Sequence, residues 1–102
     1  MLTSKQRAYL RGLANPIEAK HQIGKEGVNE NHRELLCAAL EANELIKISV
    51  LESVMEPVRS ICDQLVELCK AEPVQVIGRK IVLYKRSAHN PKIELPKNRK
   101  KK

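Results

Sequence analysis

Residues 17–29 read IEAKHQIGKEGVN and join two kinds of hydrophobic pattern. Over residues 17–23 apolar and polar side chains alternate, which is typical of a half-buried β-strand. Asn29 is a good helix N-cap, and it precedes a segment with helical periodicity. Two glycines, at 24 and 27, lie between these segments. The stretch therefore predicts a strand, a short loop and a helix.

The loop Gly24-Lys25-Glu26-Gly27 has a composition that suits phosphate binding. Glycine lets the backbone approach a ligand without an intervening Cβ. The first turn of the next helix presents N–H groups and the positive end of the helix dipole. Lys25 adds a mobile cation, and Arg33 lies near any anion held there, although Glu30 or solvent are alternative partners for it. A plain connecting turn is the alternative interpretation, because GxxG spacing is common by chance.

Length and composition indicate one compact domain, with 102 residues and 42% hydrophobic residues. No apolar run approaches the length of a membrane span, and the N-terminus lacks a signal-peptide core, so we expect a cytoplasmic protein without membrane contact. The three cysteines show no CxxC spacing, and we expect reduced thiols. Cys62 and Cys69 fall on the core stripe of a predicted helix and are interpreted as small buried hydrophobes.

The net charge of +7 is unevenly distributed along the chain. Residues 26–78 carry ten acidic and four basic side chains, whereas residues 79–102 carry ten basic and one acidic. Such polarity favours an anionic partner, most simply nucleic acid, over the alternative of a solubilising basic tail. Other basic side chains are expected to broaden the binding surface of the glycine loop and Arg33, if the fold brings them together. They are Lys5, Arg7, Arg11, Arg79, Lys80, Lys85 and Arg86.

The remaining elements follow from capping signals and periodicity. Thr3 with Gln6 forms a capping box for a first helix over 4–14, and Ser53 with Glu56 suggests another for a third helix reaching about Ala71. In the second helix, from Glu30 to about Ala42, the inward positions are predicted to be His32, Leu35, Leu36, Ala39 and Leu40, and Asn43 is expected to end it in the left-handed conformation.

Strands are predicted over 45–51, 74–77 and 81–84, the last two forming a hairpin with Arg79 and Lys80 at an exposed tip. The predicted order is thus α-β-α-β-α-β-β.

The sequence carries no pattern typical of an enzyme. It contains no GxSxG, P-loop, HExxH or clustered zinc-ligand spacing, so we predict no catalytic residues, metal or cofactor. There is no Trp or Phe, and only two Tyr, which argues against bases stacked on aromatic side chains. Contact with a nucleic acid would therefore depend on phosphates, sugar hydroxyls and shape.

Three separated motifs occur within this element order: QIGKEG at 22–27, ELIKI at 44–48 and VQVIGRKIVLYK at 74–85. Together they resemble the CRM domain of chloroplast RNA splicing and ribosome maturation proteins, above all the stand-alone bacterial YhbY-type members. The resemblance covers about residues 2 to 95. Asn29 departs from the expected threonine or serine, but asparagine caps a helix equally well.

The resemblance implies a compact two-layer α/β domain with a mixed four-stranded sheet and a KH-like GxxG loop that binds RNA. It also implies association with precursors of the large ribosomal subunit. We accordingly expect a monomeric RNA-binding protein with a domain over 1–95 and a disordered basic tail over 96–102. The alternative is a protein-interaction module that uses the half-covered sheet or the acidic second and third helices.

Overall fold

A computed structural model of the protein describes residues 2–88 and residue 93, and this part of the chain forms three helices and four strands. Their order agrees with the sequence prediction. In chain order they are α1 (Ser4–Ala14), β1 (His21–Ile23), α2 (Glu30–Asn43), β2 (Leu45–Val50), α3 (Val58–Cys69), β3 (Glu72–Ile77) and β4 (Lys80–Tyr84).

The four strands form one mixed sheet, as predicted, and their order in the sheet is β1-β2-β4-β3. β1 pairs with β2 in parallel, whereas β4 is antiparallel to both β2 and β3. Because Ile23 lies opposite Val50 and Ser49 opposite Lys80, the glycine loop, the chain after β2 and the β3–β4 turn meet at one end of the sheet, here called the loop end. Leu45 pairs with Tyr84 at the other end, here called the Glu44 end.

Each face of the sheet has its own core. On one face α2 and α3 bury a large cluster that includes Ile48, Leu65 and Leu83, and it also holds Cys62 and Cys69 as predicted. On the other face α1 packs Leu10 and Ala14 against a smaller cluster that includes Leu45, Val74, Val82 and Tyr84. The helix α1 thus adds a layer to the predicted arrangement of one sheet and one helical layer.

The capping predictions have different outcomes. Thr3 and Gln6 form the expected capping box, and Asn29 is the N-cap of α2. The predicted Ser53–Glu56 box is wrong, because α3 begins at Val58 after Pro57 and has no side-chain cap. The Glu56 carboxylate instead accepts hydrogen bonds from side chains within α3, from Gln64 Nε2 at 3.0 Å and Ser60 Oγ at 3.4 Å.

The helix α2 differs from prediction at two positions. Asn43 is its last helical residue, and the positive φ expected of Asn43 occurs at Glu44, with φ of 68° and ψ of −33°. Leu35 is 55% exposed, whereas Leu36 and Leu40 are buried. Leu36 and Leu40 lie about one helical turn apart and define the buried face, so the adjacent Leu35 points away from it.

The strand β1 is shorter than the predicted 17–23, because its pairing with β2 starts at His21. The N–H of Ile17 donates to Ala14 O at 3.0 Å, so the chain is still turning as it leaves α1. A longer ladder in the same register would place Lys20 opposite Lys47, an unfavourable pair of like charges. Of the predicted domain over 1–95, the structure describes residues 2–88 and residue 93, and Ile93 packs against the smaller cluster on the α1 face of the sheet. The predicted tail over 96–102 lies outside the described residues.

Candidate functional site

The glycine loop forms a tight turn at the loop end of the sheet. The N–H of Gly27 donates to Gly24 O at 2.8 Å, and Gly27 has φ of 79°, a conformation that favours glycine. A Cβ added at Gly24 would lie 3.8 Å from Leu51 Cδ1, so the loop runs close to the chain that follows β2. The Gly27 N–H is used inside the turn and is not directed at a ligand.

The start of α2 is closed by reciprocal side-chain bonds. Asn29 Oδ1 accepts from the N–H groups of Asn31 at 2.9 Å and His32 at 3.3 Å, and His32 Nδ1 accepts from the Asn29 N–H at 3.1 Å. These first-turn N–H groups are therefore already partnered, contrary to the simplest form of the phosphate hypothesis. Because Nδ1 accepts, a neutral His32 carries its proton on Nε2, which can donate to a ligand.

A hollow of about 360 Å³ lies beside the loop and is lined by Gly24, Lys25, Glu26, Gly27, Asn29, Asn31 and His32. The donors that it offers are the ammonium of Lys25, the side-chain amide of Asn31 and the imidazole of His32. Carboxylates are also near, since Glu26 is in the loop and a Cβ added at Gly27 would lie 3.8 Å from Glu56 Oε1. This mixture of groups suits one phosphate with its ribose hydroxyls better than a dense cluster of negative charge.

Arg79 has a structural role that its sequence position did not reveal. It is half-buried rather than at an exposed tip, and its guanidinium donates to the carbonyl oxygens of Val50 at 2.9 Å, Leu51 at 2.6 Å and Val54 at 3.3 Å. The expectation of an exposed Arg79 is therefore wrong, because those carbonyl oxygens occupy its donors. Lys80, by contrast, is exposed at the same end of the sheet.

The other basic candidates do not all gather at the glycine loop. Lys85 follows β4 at the Glu44 end, about 16 Å along the strand from Lys80, and its Nζ donates to Cys69 O at 3.1 Å. Arg86 is exposed at the same Glu44 end. In α1, Arg7 Nε donates to Pro73 O at 3.4 Å, beside the outer strand β3.

Arg33 lies in α2 near the loop, and its guanidinium pairs with Glu30 at 3.6 Å. Also on α1, Lys5 is exposed and Arg11 is half-buried.

Glu44 is the feature that sequence reasoning missed. It is 0% exposed, and its carboxylate accepts from the N–H groups of Ser87 at 2.7 Å and Ile93 at 2.6 Å. The nearby Glu41 accepts from Ser87 Oγ at 2.7 Å. No local pattern could have indicated this, because the partners lie more than forty residues further along the chain. The two carboxylates hold the segment that follows β4.

Burial is the first cause of a shifted pKa at four titratable groups in the described part of the chain. Desolvation, and then the charge of Asp63, raises the pKa of the Cys62 thiol. Desolvation, and then the charge of Lys20, lowers the pKa of His21. Burial and a hydrogen bond with the Cys37 thiol raise the pKa of Cys69 to about 12, so this thiol stays protonated at neutral pH. Burial, and then the charge of Glu44, raises the pKa of Tyr84. Within residues 2–88 and 93, no group of three or more His, Cys, Asp or Glu side chains is placed to hold a metal ion.

Residues 2–85 match the family model of the CRS1/YhbY (CRM) domain. The chain belongs to the CRM-domain family. The CRM match spans all seven helices and strands of the described part. It begins at residue 2, as the sequence resemblance suggested, and ends at residue 85, ten residues before the suggested boundary.

Similar proteins come from bacteria and an archaeon. The CRM-domain chain is 46% identical to the Bacillus subtilis protein named "Probable RNA-binding protein YqeI", over 94% of this chain and 100% of that one. It is 35% identical to a Haemophilus influenzae protein named "RNA-binding protein", over 94% and 96% of the two chains. It is 34% identical to the Methanocaldococcus jannaschii protein named "Probable RNA-binding protein MJ0652", over 82% of this chain and 63% of that one.

A solved structure has the same fold. The solution structure of SAV1595 from Staphylococcus aureus, described as a candidate RNA-binding protein, superposes with a TM-score of 0.79 at 46% identity. It covers 94% of this CRM-domain chain and 100% of the other. In the described part of the chain, no helix is both long and apolar enough to cross a membrane.

Proposed function

We propose that this protein binds RNA and acts in assembly of the large ribosomal subunit, as a monomeric cytoplasmic binding protein without catalytic activity. The observation that carries the first part is family membership, together with the RNA-binding names of relatives at 46%, 35% and 34% identity. The ribosomal part rests on the resemblance to bacterial YhbY-type proteins, which associate with large-subunit precursors.

The proposed primary contact is the hollow beside the KH-like loop Gly24-Lys25-Glu26-Gly27. Lys25 would bind a backbone phosphate, and the donors of Asn31 and His32 would bind the same phosphate or the adjoining ribose. Lys80 and Arg33 would contribute further positive charge near this end of the sheet. Lys85 and Arg86 follow β4 at the Glu44 end. Together with Lys5, Arg7 and Arg11 on α1, they would contact only RNA long enough to extend beyond the loop end.

Arg79 enters the proposal in a changed role. Its donors already bind the carbonyl oxygens of Val50, Leu51 and Val54. It would therefore hold the chain after β2 against the glycine loop, and would support an RNA contact without being its main donor.

Ultraviolet crosslinking in cells followed by sequencing of the bound RNA tests this function. We expect enrichment of large-subunit ribosomal RNA and co-sedimentation of the protein with large-subunit precursors rather than mature ribosomes. A matched experiment with Lys25→Asp/Glu26→Asp should show loss of the crosslinks at an unchanged protein level. Crosslinks spread evenly over messenger RNA would contradict the ribosomal role while leaving RNA binding in place.

A protein partner is the second candidate, and one observation favours it. Met55 is 94% exposed on the chain after β2, and Leu51 and Ile77 are exposed at the same end of the sheet. Where exposed apolar side chains form a contiguous patch, they mark an interaction surface. Met55→Ser should leave affinity for isolated RNA unchanged and weaken binding to precursor particles if these side chains contact a ribosomal protein, which separates the two candidates.

A further inference from the structure

A cleft of about 380 Å³ lies at the N-terminal end of β1, whereas the glycine loop follows its C-terminal end. At the cleft, β1 and β2 no longer pair. The ladder between the two strands begins at the His21–Ile48 pair. In the described part of the chain, no strand pairs with Leu45–Lys47 on the β1 side. The cleft is lined by Leu13, Ile17, Glu18, Lys20, His21, Asn43, Leu45, Ile46, Lys47 and Ile93.

The lining divides into apolar and polar groups. Leu13, Ile17, Leu45 and Ile93 provide apolar walls, and Leu13 is 37% exposed although it belongs to α1. Lys20, just before β1, and Lys47, in β2, come from the two chain segments that diverge here. Among the described residues of the lining, Glu18 is the only acidic side chain. Asn43 Nδ2 donates to Ala39 O at 3.2 Å, which leaves the oxygen of this exposed side chain as an acceptor.

We infer that this cleft binds one unstacked nucleotide of the RNA, with the base against the apolar walls and its phosphate at Lys20 and Lys47. The inference rests on the proposed RNA-binding function. The volume falls within the usual range of about 300–1,000 Å³ for small-molecule sites. An unstacked base needs apolar surface on its faces and hydrogen-bonding groups at its edge. The edge groups here are the Asn43 amide and the backbone along Leu45–Lys47.

Charge favours a nucleotide over a peptide strand. A peptide backbone is neutral and would gain little from two lysines, whereas a phosphate would gain a charge-assisted contact. The lowered pKa of His21 keeps its imidazole neutral at neutral pH, so it can serve as a hydrogen-bonding group rather than a third cation. This site also offers bases an apolar surface in a chain without Trp or Phe.

NMR titration of the ¹⁵N-labelled full chain tests the site directly. The probes are an eight-nucleotide oligouridylate and a ribose-phosphate chain of equal length without bases. We expect the amide signals of Lys20, His21 and Lys47 to shift with the oligouridylate and to shift much less with the base-free chain. Equal shifts from both probes would show a phosphate contact only, and no shifts from either would overturn the inference.

A matched pair of charge-neutral variants isolates the base contact. Leu13 and Leu35 are both exposed helical leucines, but only Leu13 lines the cleft. Leu13→Ser should weaken oligouridylate binding about 5-fold or more, the low end for loss of a stacked base, with an unchanged salt slope. Leu35→Ser should leave it within about 2-fold. Equal affinities of both variants would overturn the inference and leave the cleft to a peptide partner.

Charge in the cleft is tested by Lys20→Gln/Lys47→Gln. The expected result is a salt slope smaller by up to about 1.4, from two lost phosphate contacts on a single strand, against no change for the exposed Lys70→Gln. An unchanged slope in the double variant would contradict the phosphate part.

Failure of this inference can be distinguished from failure of the proposed function. If the wild-type chain binds no RNA, the proposed function itself is wrong. If it binds RNA without shifts at Lys20, His21 and Lys47, only the cleft is excluded.

Discussion

The two ends of the sheet use charged side chains in different ways. At the Glu44 end, Glu44 is fully buried and accepts two backbone N–H groups, and the Lys85 ammonium donates to a helix carbonyl. At the loop end, Lys25, Glu26 and Lys80 are exposed around or beside an open hollow. The first arrangement fixes the chain, whereas the second leaves charged groups accessible to a ligand.

This difference shows why the number of basic residues is a poor guide to a binding surface. Arg79 and Lys85 belong to the same strongly basic C-terminal segment, yet both donate to backbone carbonyl oxygens inside the domain. Lys80 lies between them in sequence and is exposed. Accessibility therefore separates structural cations from those open to a ligand, and variants of the two kinds should affect different measurements.

The largest effect is expected from Glu44→Ala. The change leaves the buried N–H of Ser87 and the part-buried N–H of Ile93 without their carboxylate partner, and each unsatisfied donor costs about 1–3 kcal/mol. We expect the free energy of unfolding to fall by about 2–6 kcal/mol in urea titrations. Glu34→Ala, at an exposed position of the same helix, should change it by less than about 0.5 kcal/mol. Equal effects would mean that Glu44 does not hold the chain.

A smaller loss of stability is expected from Arg79→Gln. Hydrogen bonds from a charged donor contribute about 1.5–3 kcal/mol, and partial exposure of this side chain places the expected loss near the lower value. Lys80→Gln, the adjacent and exposed control, should leave thermal stability unchanged. A variant at Arg79 that loses RNA affinity with no change in melting temperature would show that the arginine is a ligand contact after all.

Local signals in the sequence were sufficient for the element order and several caps. Thr3, Gln6 and Asn29 form hydrogen bonds with residues fewer than four positions away, so their capping roles follow from sequence spacing. Ser53 with Glu56 has the same spacing and does not cap, because Glu56 bonds to Ser60 and Gln64 within α3. Glu44 and Arg79 depend on partners 25 to 49 residues away, and nothing local reports such contacts.

Only part of the candidate site could likewise be predicted from the sequence. The glycine loop is located by its own composition, but the closure of the helix start by Asn29 and His32 required the fold. The cleft between β1 and β2 required the register, since it exists because a predicted strand pairs over only part of its length.

The smallest effect is expected from His21 and concerns pH. Its pKa is lowered in the folded state by burial and then by Lys20, so the unfolded chain binds the proton more readily. The contribution of His21 to stability is therefore complete above about pH 6.5 and declines as the pH falls toward the lowered value. His21→Gln should reduce the difference in urea midpoint between pH 7.5 and pH 5.5. An unchanged difference would show that other titratable groups cause this pH dependence.

We propose that Gly24–Gly27 is an RNA contact and not an ordinary turn. Fluorescence anisotropy with one labelled ribosomal RNA fragment should test Lys25→Asp/Glu26→Asp, which keeps both glycines, against Lys70→Asp, at an exposed lysine after α3. Loss of a charge-assisted contact plus repulsion should weaken binding by about 1.5–3 kcal/mol, or roughly 10- to 150-fold, at unchanged thermal stability. Lys70→Asp should cost less, because Lys70 does not line the hollow beside the glycine loop and its exposed charge acts on RNA only through screened solvent. Equal small losses from both variants would contradict the claim.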